Sequence, residues 1–233
     1  MPRLHPEPRG YLPRLAPEFY RGAAVVFWTH PIAERGTGWL HPGFHQAFRE
    51  IALHAAIREN LLCPIYTLMP DHLHLVWMGV APDSDQLRAC GFLRRYLEPR
   101  LRPHRFQPQA HDHVLRESER HRNAFAATCA YIAENPVRAR LGATGAGATG
   151  AGATGAGATG AGATGAGWEF TGCLLPGYVD LHPLAADYWE KFWRLYGAAT
   201  RRGRVGKMTT SSLLTSAATS APPPASSAPS SAA

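Results

Sequence analysis

Two short stretches hold the residues able to do chemistry. Met69-Pro-Asp-His-Leu-His-Leu-Val-Trp77 carries His72 and His74 one residue apart, and Tyr131-Ile-Ala-Glu-Asn-Pro-Val-Arg-Ala139 carries a tyrosine four residues before Asn135. On a strand alternate side chains share a face, so His72 and His74 project together while Leu73 and Leu75 turn the other way into a core. On a helix positions i and i+4 are neighbours, so Tyr131 and Asn135 present a hydroxyl and an amide oxygen side by side. Pro136 disfavours helical geometry at Asn135, which predicts that the helix ends or kinks there and releases the asparagine. Two imidazoles and an amide oxygen are a ligand set for a divalent cation with open positions for a phosphate oxygen, and a phenol beside them is a nucleophile for phosphorus. Each stretch alone also has a plain structural reading: polar histidines on a solvent face, and a core tyrosine packed on a sheet.

The surrounding pattern must position these residues. Ala23 to Thr29, with Val25, Val26, Phe27 and Trp28, predicts a first buried strand. His41-Pro42 opens a helix to about Glu59, in which Phe44, Phe48, Ile51, Ala55 and Ile57 keep a helical period, and Asn60 is its stop. Cys63 to Met69 predicts a second strand, and Pro70-Asp71 is too short a link for anything but an antiparallel hairpin into a strand from His72 to Val80. Asp83 to Asp85 cap a helix running to about Leu101, with Leu87, Phe92, Leu93, Tyr96 and Leu97 on its apolar side and Arg88, Arg94 and Arg95 beside them. Phe106 to Arg116 contains a second His-x-His pair, His111 and His113, which competes with the first for a cation. Its hydrophilic flank and missing apolar body predict a short edge strand with satisfied or solvent-facing histidines. Ser118 to Ala130 is helix-compatible and leads into the tyrosine stretch. The order strand, helix, strand, strand, helix, strand is that of the split β-α-β motif.

At these residues the chain resembles the HUH single-strand transposases with one catalytic tyrosine, and most closely their REP-associated tyrosine transposase (RAYT) branch. The histidine motif, roughly Met-Pro-Asn/Asp-His-x-His-hydrophobic, is present as Met69 to Leu75, and the tyrosine motif, roughly Tyr-Ile-x-x-Asn-Pro-Val-Arg/Lys-Ala, as Tyr131 to Ala139. The resemblance covers about residues 20 to 141 and resumes weakly at Trp168 to Tyr196. It implies an α+β, ferredoxin-like antiparallel sheet with helices on one face and an appended tyrosine helix lying across it. It also implies His72, His74 and Asn135 as ligands of Mg²⁺ or Mn²⁺, with Zn²⁺ permitted by the donor set, and Tyr131 as the nucleophile. The implied activity is cleavage and rejoining of hairpin-bearing, REP-like single-stranded DNA through a 5′-phosphotyrosine. The implied partner is therefore single-stranded DNA, for a monomer or homodimer in the bacterial cytoplasm. Two alternatives share the fold: a non-catalytic nucleic-acid-binding module, and a phosphodiesterase that uses activated water.

Composition agrees with an anionic partner. The net charge is +7, and every basic residue except Lys191 and Lys207 is an arginine, whose planar fork suits phosphate. Arg88, Arg94, Arg95 and Arg138 are the candidate DNA contacts. Cys63, Cys90, Cys129 and Cys173 are scattered, which suits a reducing compartment and suggests neither a disulfide framework nor a zinc site. No apolar run is long enough to span a membrane. Residues 1–22, rich in proline and arginine, predict an extended basic arm before the 23–141 domain. Residues 142–167 are Gly-Ala-Thr-Gly-Ala repeated five times with a closing glycine and predict a tether. The aromatic segment 168–196 is expected to pack on the domain, with Asp187 to Tyr196 helical, and 197–233 is expected to be a disordered tail.

Overall fold

A computed structural model describes residues 14–120, 123–141 and 167–217, the last fifteen of these as helical backbone only. The elements are β1 (Val25–Pro31), α1 (Pro42–Arg58), β2 (Leu61–Met69), β3 (His72–Gly79), α2 (Gln86–Leu97), β4 (His111–Val114), a four-residue helix α3 (Glu117–Arg120), α4 (Ala124–Arg138), β5 (Thr171–Leu174) and α5 (Tyr188–Ala217). The five strands form one antiparallel sheet in the order β4-β1-β3-β2-β5. Its first four strands, in that order and with these crossovers, have the ferredoxin-like topology, and β5 extends the edge beside β2.

Local chemistry explains most boundaries. The ring of His41 caps α1, its Nδ1 accepting from the Phe44 N–H at 3.2 Å, and Asn60, at φ 53°, ends it in the left-handed conformation that asparagine tolerates. The Asp85 carboxylate caps α2 by accepting from the Arg88 N–H at 3.1 Å. Pro70-Asp71 turns β2 directly into β3, with Met69 opposite His72.

The sheet has two covered faces. Val26 and Trp28 of β1, Leu73, Leu75 and Trp77 of β3, and Phe44, Phe48, Leu93 and Leu97 of α1 and α2 form the larger core. The opposite face, with Val25 and Val76, is covered by Cys129 and Ile132 of α4 and by Tyr188 and Phe192 of α5. Period-two alternation therefore sends His72 and His74 to the α4 side, as their spacing predicts. Ile57, placed by sequence on the apolar side of α1, is 54% exposed, because the helix turns Ala52 and Ala56 inward beside the expected Ala55.

Several boundaries differ from the sequence-based expectation. The arm does not extend to residue 22. Pro17–Tyr20 form a 3-10 turn, Tyr20 is fully buried with its hydroxyl on Asp112, Arg14 pairs with Asp112 at 3.3 Å, and Arg21 pairs with Asp85 at 3.2 Å. Burial of the Tyr20 ring, its hydrogen bond and the two ion pairs together offset the chain freedom that this segment gives up. Residues 197–217 continue α5 rather than forming a tail, the run Ala198-Ala199-Thr200-Arg201-Arg202 being compatible with a helix already under way. Strand β5 has no alternating signature, and Gly172 is required within it, since a Cβ there would lie 2.6 Å from the Tyr66 hydroxyl oxygen. Residues 1–13, the repeat from 142 to 166 and the end from 218 lie outside the described residues. Among the described residues no helix is long and apolar enough to cross a membrane, and the four cysteines are buried free thiols.

Candidate active site

The hairpin from Met69 to His72 fixes the start of β3, and from there the pleat aims both imidazoles at α4. Their Nε2 atoms lie 3.0 Å apart and the rings meet nearly edge to face, with centroids at 4.5 Å. Each ring is held by its other nitrogen. His72 Nδ1 is 2.6 Å from Asp71 Oδ1, and His74 Nδ1 is 2.8 Å from the Thr29 hydroxyl, which stands directly across the β1–β3 ladder.

Proton accounting follows from these partners. The Asp71 carboxyl feels burial, which opposes ionisation, but hydrogen bonds from His72 and Arg35 and their charges outweigh it and hold the group below its ordinary value. An ionised carboxylate only accepts, so His72 carries a proton on Nδ1, and the neutral form of the ring turns a lone pair on Nε2 toward His74. With both rings neutral, the 3.0 Å contact then needs a proton on His74 Nε2, and Thr29 donates to His74 Nδ1. Because a hydroxyl both donates and accepts, the same Thr29 serves the opposite tautomer, in which both Nε2 lone pairs point at one place. Burial, reinforced by the adjacent His72 ring whenever that ring is protonated and opposed by the Asp71 charge, pushes His74 down to about 3, so its imidazole is neutral near neutral pH.

Helix α4 brings the tyrosine to this pair. Cys129, Ile132 and Pro136 bury one stripe against the sheet, which leaves Tyr131 and Asn135 on the adjoining stripe. The Tyr131 ring stands edge-on to His74 at 5.7 Å and to Phe27 at 6.0 Å, is 39% exposed, and has the Arg138 guanidinium 5.5 Å from its centre. Asn135 follows one turn later, and its amide nitrogen is buried without a hydrogen-bond partner. A half turn of the amide would put its oxygen at that position.

Pro136 does not end the helix at Asn135. Helix α4 continues to Arg138 and closes with Arg140 N–H on Val137 O at 2.9 Å and Leu141 N–H on Pro136 O at 2.7 Å, Arg140 taking φ 57°. This pair of bonds satisfies the last carbonyls, and burial of the proline ring offsets the one hydrogen bond that it cannot donate.

The candidate DNA arginines separate. Arg138 is on the Tyr131 side, ion-paired to Glu134 at 2.9 Å. Arg88, Arg94 and Arg95 belong to α2, across the sheet. There Arg88 pairs with Glu59 at 3.5 Å, Arg94 donates to the Gln107 and Pro108 carbonyls over the Phe106 ring, and Arg95 lies 5.7 Å from the Tyr96 ring. His111 and His113 share the sheet face of the first pair but are exposed, and His113 Nε2 is 3.2 Å from Glu119. Among the described residues no three His, Cys, Asp or Glu side chains form a metal cluster, so a cation here would rest on two imidazoles and the Asn135 amide. The convergent Nε2 atoms and the unpartnered amide have the donor chemistry of such a ligand set.

Sequence reasoning passes over Arg35. Its guanidinium grips Asp71 Oδ2 with both Nε and Nη2 at 2.9 Å. Glu34 and Arg35 adopt φ of 57° and 53°, a left-handed conformation that costs non-glycine residues roughly 1–2 kcal/mol each. No pattern in the sequence signals that pairing; the proximity of the 33–36 turn to the hairpin creates it.

No family model matches the sequence. No curated protein matches it either. Among solved structures, one similar chain is a REP-associated tyrosine transposase bound to a REP hairpin, 19% identical, matched over 57% of this chain and 75% of that one with a TM-score of 0.46. A likeness this distant assigns neither a family nor an activity.

Proposed function

We propose that this protein is a metal-dependent single-strand DNA endonuclease and strand transferase acting on hairpin-bearing DNA, with Tyr131 as its nucleophile. The observation that carries the reading is the Tyr131 ring edge-on to His74 at 5.7 Å, beside imidazoles whose Nε2 atoms converge to 3.0 Å. In this reading His72, His74 and Asn135 hold Mg²⁺ or Mn²⁺. The cation, when bound, polarises the scissile phosphate and stabilises charge on the departing oxygen.

The Tyr131 oxygen forms a bond to phosphorus, its proton passes to solvent, the bond from phosphorus to the 3′ oxygen breaks, and that oxygen takes up a proton. The product is a 5′-phosphotyrosine and a free 3′-hydroxyl. A phosphotyrosine diester keeps the energy of the broken bond, so a 3′-hydroxyl can reverse the step without a nucleotide triphosphate. The Arg138 guanidinium, 5.5 Å from the centre of the Tyr131 ring and paired with Glu134, adds positive charge to this side of the site.

The test is covalent capture. Short single strands bearing a hairpin, incubated with the protein and Mn²⁺, should give a protein–DNA band that survives denaturation. Tyr131→Phe should abolish that band while hairpin affinity stays within a few-fold, since the ring still packs on Phe27 and His74. Undiminished cleavage by Tyr131→Phe would refute the nucleophile assignment, and binding without cleavage by the wild type would favour the non-catalytic module.

A further inference from the structure

We propose that Arg35 is a positioning residue of the cation site: its two-point grip on Asp71 holds that carboxylate on His72 Nδ1, which keeps the His72 Nε2 lone pair turned toward His74. The inference rests on the reading of His72 and His74 as ligands, but its readouts involve neither DNA nor Tyr131.

The three groups form a hydrogen-bonded chain that places a proton on His72 Nδ1. Arg35 donates twice to one oxygen of Asp71, each contact at 2.9 Å, and the other oxygen takes His72 Nδ1 at 2.6 Å. Without Arg35 the carboxylate would be free to rotate, and His72 would lose the partner that fixes which ring nitrogen is protonated. A lysine could not replace it, because a point charge has no planar fork to set the orientation of the carboxylate.

The turn that presents Arg35 is built at a conformational cost. Glu34 and Arg35 both take positive φ although neither is glycine. The turn is held on several sides: Ile32 N–H donates to Asp71 O at 2.9 Å, Ala33 N–H to Arg105 O at 2.8 Å, and Trp39 Nε1 to Gly36 O at 3.2 Å. A Cβ at Gly36 would sit 2.5 Å from His104 Nδ1, so any larger residue there would displace that ring. Strain fixed so firmly in a turn beside a ligand hairpin points to a positional purpose. The guanidinium gains little as a buried anchor, being 82% exposed, so its visible consequence is the orientation of Asp71.

The experiment measures Mn²⁺ affinity by calorimetry, and imidazole ¹⁵N shifts in the metal-free protein, for Arg35→Ala, Asp71→Ala and the double variant. Asp71→Ala should weaken Mn²⁺ about 10–100-fold, the range for loss of a group that orients a ligand. Arg35→Ala should weaken it several-fold with an unchanged thermal midpoint, and the double variant should match Asp71→Ala alone, because Arg35 acts through Asp71. In the metal-free protein His72 should show the Nδ1–H form, and Arg35→Ala should mix it with the other tautomer. Unchanged affinity and unchanged tautomer in Arg35→Ala would overturn the proposal, as would full additivity in the double variant. If the wild type bound no Mn²⁺, the cation reading would fail, and the ¹⁵N shifts alone would still decide whether Arg35 sets the His72 tautomer.

Discussion

His72 and His74 on β3, and His111 and His113 on β4, have the same spacing and face the same side of the sheet with β1 between them. Thr29 stands opposite His74 on one side and His111 on the other. The two pairs nevertheless end in different states. Strand β3 is flanked on both sides, His74 is 4% exposed, and the neighbouring Thr29 and Asp71 tie down one nitrogen of each ring so that the other two meet. Strand β4 is a four-residue edge, its histidines are exposed, and His113 turns to Glu119. Spacing alone places two imidazoles on one face, whereas convergence on a point needs a partner for each second nitrogen.

The strongest way to break this comparison is to remove each pair in turn. His72→Ala or His74→Ala should abolish nicking and lower Mn²⁺ affinity by about 100-fold or more, while His111→Ala or His113→Ala should change it by less than about 2-fold. Calorimetry giving the reverse would move the site to the edge strand.

Thr29 sharpens the comparison because it adjoins both pairs yet is hydrogen-bonded to His74. Thr29→Val should weaken Mn²⁺ about 10-fold and Thr29→Ser should restore it. Equal affinity in Thr29→Val would mean that the hydroxyl does not orient the ring.

Acid should expose the buried member next. Folded His74 protonates only near about 3, through burial and the charge of His72, against an ordinary value of 6.5. Its folded pKa is depressed, so the stability it contributes is present above 6.5 and is lost as pH falls from there toward about 3, because the unfolded chain binds the proton first. His45, lowered to about 4 by burial and by Arg49, acts in the same direction. Urea midpoints should therefore fall between about pH 7 and about pH 4, and a midpoint that rose over this range would contradict the neutral, buried state.

The smallest effect belongs to the exposed pair. Glu119→Gln removes the partner of His113 at the surface, and the thermal midpoint and Mn²⁺ affinity should both stay within error of the wild type. A loss of Mn²⁺ affinity would bring β4 back into the site.

What the sequence determined by itself is local. Period-two alternation put His72 and His74 on one face, the two-residue link Pro70-Asp71 forced the β2–β3 hairpin, Tyr131 and Asn135 fell one helical turn apart, and Asp85 and Asn60 marked helix ends. Each depends on residues within a few positions of one another, where backbone geometry leaves few options. Tertiary structure decided the rest. It set two equally spaced His-x-His pairs apart by giving one a central strand and the other an edge, and it carried α4 past Pro136 by burying the proline ring. It also docked Tyr20 and Arg14 that the sequence reads as arm, added β5 beside β2, sent Arg88, Arg94 and Arg95 to the face away from Tyr131, and set Arg35 on Asp71. Those outcomes depend on contacts between distant residues, whose neighbours no local spacing specifies.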